Sequence, residues 1–130
     1  MKEFLEIARE SVWNQIAALK KGIPRSTFTF ISEELEIPQK RLAEVLGLNE
    51  RTLRSRGARL NEVESEKSLR VGRVYVKAID VLGSPERARK WISAPIKSLG
   101  NKCPLDYLET DIGTGEVMNV LNAIEWGVYL

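Results

Sequence analysis

The feature that most restricts the fold is a central stretch from about Val63 to Leu82. There Val71, Val74, Tyr75, Ala78, Ile79 and Leu82 recur at helical spacing. That periodicity describes one face of an α-helix of several turns. Start and stop signals mark shorter helices on both sides. Phe4, Leu5, Ala8, Val12, Ile16 and Leu19 make one apolar face over about Lys2 to Lys21, closed by Gly22-Ile23-Pro24. Pro38 suits the first turn of a helix with Leu42, Ala43 and Leu46 inward and Gly47 as its stop. Asn49 caps a short helix through about Arg56, and Gly57 ends it. Ser84-Pro85 opens a helix to about Ile92, and Asp111 caps a last one to about Trp126, with Val117, Val120, Leu121 and Ile124 inward and Gly127 as its stop. Pro95 to Cys103 reads as a loop and Pro104 to Leu108 as a short turn. The β-prone run Thr27 to Ile31 has no partner strand, so residues from about Arg25 to Leu35 are predicted helical. The chain is therefore expected to be all-α. Its polar, Glu-rich stretch from Arg59 to Ser65 divides it into units over 1–62 and 63–130.

Composition narrows the function. The sequence has no histidine, which removes the commonest general base, the Ser-His and Cys-His pairs and nearly all zinc sites. Weight shifts toward a binding protein: no metal site, no cofactor and no small-molecule substrate is expected. The lone Cys103 fits a reducing cytoplasm. No apolar run approaches a membrane span, and Met1 to Glu6 does not read as a secretory leader. A net charge of +2 gives no global attraction for nucleic acid, so any such attraction must be local.

Local clustering exists. Between Lys40 and Arg59 lie six basic residues (Lys40, Arg41, Arg51, Arg54, Arg56 and Arg59) against two acidic ones, Glu44 and Glu50. The run Pro38 to Arg56 resembles a helix-turn-helix. Ala43 lets two helices approach, Gly47 permits the turn, and Leu48 and Leu53 plug the angle. Such a turn exposes the start of the second helix to a major groove. Lys40, Asn49, Arg51, Thr52, Arg54, Ser55 and Arg56 are the candidate DNA-binding residues, with Arg56 and Arg59 assigned to the phosphate backbone. The plainer alternative is a helical corner with a solvated basic face. One short reading helix has little affinity, so a homodimer is expected.

The C-terminal end supplies the second candidate. Trp126, Gly127, Val128, Tyr129 and Leu130 close the sequence on bulky apolar residues, where ends are normally polar and loose. Either they fold into the core, the commoner outcome for a residue like Trp126, or they are offered to a partner's cavity. Arg87, Arg89 and Lys90 would form a polar rim or a solvated helix face. Trp91 reads as core. Gly113-Thr114-Gly115 lacks a lysine at P-loop spacing and reads as a helix start. Cys103 reads as a small loop residue. Glu62, Glu64 and Glu66 read as a solvated helix start favoured by the macrodipole.

In order and spacing, residues from about 35 to 130 resemble the Xre/MbcA/ParS antitoxins. The resemblance is carried by Leu46 to Leu53, Glu64 to Arg70, Gly83 to Trp91, Leu99 to Leu108, Asp111-Ile112-Gly113 and Glu125 to Tyr129. The usual Gly-Gly ahead of Pro-Leu is Gly100-Asn101 here, and Lys102-Cys103 follows in place of the more typical pair. The resemblance implies an Xre-like helix-turn-helix bundle joined to a small helical toxin-binding domain. It also implies a type II antitoxin whose partner is a RES-domain toxin that consumes NAD⁺. Binding would block that toxin's active site through Arg87 and Trp126 to Leu130, and operator DNA would be bound to autoregulate the operon. The alternative is a stand-alone Xre-type transcriptional regulator.

Overall fold

The computed structural model describes residues 2–127, with side chains from Leu5 onward. Eight α-helices run through them: α1 (Lys2–Arg9), α2 (Val12–Lys21), α3 (Arg25–Leu35), α4 (Gln39–Val45), α5 (Glu50–Ser55), α6 (Glu62–Leu82), α7 (Pro85–Ile92) and α8 (Asp111–Glu125). Short 3-10 turns at Lys97–Leu99 and Pro104–Tyr107 lie between α7 and α8. The described residues contain no strand; their extended pairings are the isolated bridges Pro24–Arg59 and Ile96–Lys102. The architecture is all-α, as the periodicity predicts. Two compact units, Met1–Arg73 and Val74–Leu130, divide inside α6.

The single helix expected over Lys2 to Lys21 is two. Ser11 is extended, and its hydroxyl accepts from Asn14 N at 3.3 Å, taking a donor that a continuous helix would send to Glu10. Gln15 Nε2 donates instead to the Glu10 carbonyl at 2.9 Å. Val12 and Ile16, read as inward, are exposed.

In the first unit, Ile23, Phe28, Ile31, Leu35, Leu42, Leu46, Leu53, Leu60 and Leu69 are buried. Segments 23–25 and 58–60 are laced together by Leu60 N to Ile23 O (2.9 Å) and Arg25 N to Ala58 O (3.0 Å). Gly22 is required there: its φ is 85°, and a Cβ would sit 2.5 Å from the Leu60 carbonyl oxygen. Ser65, fully buried on α6, accepts from Ile23 N at 3.0 Å.

In the second unit, Val74, Ala78, Ala88, Ile92, Leu99, Leu105, Leu108, Val117 and Leu121 are buried, with α8 packed on both 3-10 turns. Trp91, expected in the core, is half-buried. Gly100 and Asn101 both have positive φ, 71° and 63°. Asparagine is among the few non-glycine residues that tolerate this region, so Asn101 can take the place of a glycine there. The cap of α8 is Thr110, whose Oγ1 accepts from Gly113 N at 3.0 Å; Asp111 is the first helical residue.

Candidate functional site

The helix-turn-helix is formed by α4, a turn over 46–49 and α5. Ala43 is almost fully buried where α4 meets α5. Gly47 takes φ 67°, and Leu48 N reaches the Ala43 carbonyl at 2.8 Å, which turns the chain sharply. From α6, Lys67 Nζ donates to the Leu46 carbonyl at 2.7 Å and pins the turn. Leu53 anchors α5 inward, so Arg51, Thr52, Arg54 and Ser55 face outward. Lys40, near the start of α4, is exposed as well.

Some predicted DNA contacts hold structural duties. Asn49 Oδ1 accepts from Thr52 N at 2.9 Å and so serves as the N-cap of α5. Ser55 Oγ donates to the Thr52 carbonyl at 2.9 Å. Arg54 lies 3.5 Å from Glu50 one turn away, in an exposed pair of small energetic weight. Arg56 is paired with a carboxylate. Its Nε and Nη2 donate to Glu64 Oε1 and Oε2 at 3.0 and 2.9 Å, and Glu64 is buried. Those hydrogen bonds, reinforced by the carboxylate charge, raise the guanidinium pKa further still. Arg59 likewise donates to the Gly22 carbonyl at 2.6 Å.

Glu64 is therefore no part of a solvated cluster. Besides holding Arg56, it accepts from Asn61 N at 2.9 Å while Asn61 Oδ1 accepts from Glu64 N at 2.8 Å. This is a reciprocal capping box at the start of α6; its Asn-x-x-Glu spacing is visible in the sequence, but its burial is not. Sequence reasoning also passed over Arg25. Its Nη1 donates to the Arg54 carbonyl at 2.6 Å, and with Phe30, Gln39 and Arg54 it lines a hollow beside α5.

In the second unit, Arg87 lies at the α6–α7 corner, where its Nη1 reaches the Leu82 carbonyl at 3.3 Å. Trp126 follows α8 and is 79% exposed, so it is not core. The inward stripe of α8 passes through Val117, Val120 and Leu121; Ile124, read as inward, is exposed, and position 126 does not fall on the stripe. Lys77 Nζ holds Glu125 at 2.9 Å and fixes the helix end just ahead of Trp126. Gly127 turns the chain with φ 74°. Val128, Tyr129 and Leu130 lie outside the described residues. Cys103 Sγ donates to the Ser93 carbonyl at 3.3 Å and is a loop residue, as expected. Among the described residues no group of acidic or sulfur side chains is arranged to hold a metal, and no helix is long and apolar enough to cross a membrane.

A helix-turn-helix with outward arginines, followed by a helical unit that leaves a large aromatic exposed, is the arrangement of a helix-turn-helix protein with a second helical module. Residues 15–73 match the antitoxin Xre-like helix-turn-helix domain, and residues 77–127 match the antitoxin Xre/MbcA/ParS C-terminal toxin-binding domain. The chain is 31% identical to antitoxin Xre of Yersinia enterocolitica, over 88% of this chain and 80% of that one. It is 27% identical to antitoxin Xre of Photorhabdus laumondii, over 86% and 78%. A Prs ADP-ribosylating antitoxin of a Sphingobium species is 26% identical, over 93% and 84%. The chain belongs to the Xre antitoxin family and is the antitoxin of a toxin–antitoxin system.

Proposed function

We propose that this antitoxin neutralises a RES-domain toxin that consumes NAD⁺, by covering the toxin's active site. One observation supports this above the rest: Trp126 stands exposed at the end of α8, within the residues that match a toxin-binding domain. Large aromatics that enter a buried pocket carry much of the energy of tight interfaces. In the sequence Gly127, Val128, Tyr129 and Leu130 follow Trp126 and supply further candidate toxin contacts, and Arg87 contributes at the rim. The Sphingobium relative's name links it to ADP-ribosylation, chemistry for which NAD⁺ is the common donor.

The second half of the proposal is autoregulation in the cytoplasm. A homodimer presents two α5 helices to two half-sites of its operator, and Lys40, Arg51, Thr52 and Arg54 make the contacts. Asn49 and Arg56 hold α5 in its reading pose. The division between a DNA-binding and a toxin-binding part lies inside α6, a reading supported by the compact units over Met1–Arg73 and Val74–Leu130. The enzymatic chemistry belongs to the partner. The test is the NAD⁺ turnover of a purified RES-domain toxin, the proposed partner. One equivalent of antitoxin brings it to background; unchanged turnover rejects the proposal. Tight operator binding with no protein partner would instead favour a stand-alone regulator.

A further inference from the structure

Helix α8 has two glycines in its opening turns, and the protein's own packing accounts for one of them. Gly113 is buried, and a Cβ there would lie 2.2 Å from the Tyr107 carbonyl oxygen, so only glycine fits. Gly115 is exposed, its φ is not positive, and a Cβ would meet nothing within 4 Å. Glycine is the poorest residue for a helix interior after proline. At Gly115 the isolated chain gains nothing from it.

The same face of α8 is apolar at both ends. Ile112, Gly115, Asn119, Asn122 and Trp126 follow one another at spacings of three and four, so they share one side of the helix. The opposite side, Gly113, Val117, Val120 and Leu121, is buried. Ile112 is 84% exposed and Trp126 79%. At a rise of about 1.5 Å per residue they stand about 21 Å apart along the axis. Gly115 leaves a gap in the side-chain layer next to Ile112, and the two asparagines offer neutral donors and acceptors along the remaining length.

We propose that this face of α8 is the seat of the toxin, with a main-chain segment of the toxin lying against Gly115 between the Ile112 and Trp126 anchors. The missing Cβ admits close backbone approach, the asparagines pair with that segment's peptide groups, and the anchors fill pockets at either end. The inference rests on the toxin-binding reading above and assigns it a surface beyond the terminal plug. The toxin is the occupant because α8 lies wholly within the residues that match a toxin-binding domain.

The test uses the full chain and the purified protein encoded beside its gene. Gly115→Ala is expected to raise the melting temperature of the free antitoxin by a few degrees while weakening toxin binding. Gly115→Gln, still folded, is expected to weaken binding by about tenfold or more, as overpacking does at a close-fitting contact. Ile112→Ser is expected to weaken it as well. If the wild type binds and all three variants bind equally well, the α8 seat is wrong and the toxin-binding reading stands. If the variants lose self-association and keep their toxin affinity, a second copy is the occupant and the seat is again wrong. If the wild type does not bind, both readings fall.

Discussion

Substituting Gly113 by alanine adds one methyl group at the tightest point of the C-terminal unit. Built on the existing backbone, that Cβ lies 2.2 Å from the Tyr107 carbonyl oxygen and 3.1 Å from Thr110 Oγ1, whereas real Cβ atoms essentially never approach within 3.0 Å. The first turn of α8 must therefore separate from Tyr107 by most of an ångström. Tyr107 cannot retreat freely, since its hydroxyl donates to the Leu99 carbonyl at 2.6 Å. The Thr110 cap on Gly113 N, now 3.0 Å long, stretches with the shift. Overpacking costs about 1–3 kcal/mol and a lost cap about 1 kcal/mol, against about 1 kcal/mol gained from alanine's helix propensity. The net destabilisation is about 1–3 kcal/mol, and each kcal/mol lowers the melting temperature of a small domain by about 4–8 °C. Thermal melting by circular dichroism reads this directly, with a urea titration as an independent measure. A Gly113→Ala chain that melts at or above the wild type would refute the reasoning, because helix propensity alone would then govern the position.

Other outcomes follow from the same geometry. Arg51→Ala and Arg54→Ala should each reduce the salt dependence of DNA binding by about one unit of slope for every phosphate contact removed, with toxin affinity unchanged. Gel-shift titrations over a salt series check this. Trp126→Ala should cost about 2 kcal/mol of toxin affinity by calorimetry and leave the free chain's stability within about 0.5 kcal/mol, since the side chain is already exposed. Ser65→Ala leaves the Ile23 N–H without its buried acceptor and should cost about 1–3 kcal/mol in denaturant unfolding.

The readings that succeeded rest on local signals. The Asn49 cap, the Ser84-Pro85 start and the α6 stripe need only neighbours in sequence, and each lies where it was predicted. The failures need partners far along the chain, or a choice between two adequate local options. An apolar period runs unbroken across Ser11, and only the competition between its hydroxyl and the helix ladder divides α1 from α2. Thr110 and Asp111 are both good caps, and one position separates them. Glu64 looks solvated until Arg56 folds back onto it. The outward α5 arginines were legible because Leu53 sets the helix's phase. The exposed α8 face is also implicit in the sequence, since Ile112 and Trp126 both fall off the inward stripe. Of that face the sequence singles out Trp126, as either core or an anchor for a partner, and leaves Ile112 unmarked.

The decisive quantity is NAD⁺ inside cells that express the proposed RES-domain toxin partner. Rapid depletion is expected with the toxin alone. Levels near those of uninduced cells are expected when the full antitoxin is co-expressed, and an intermediate level with Trp126→Ala. Growth arrest with NAD⁺ intact, or depletion undiminished by the antitoxin, would contradict the proposal.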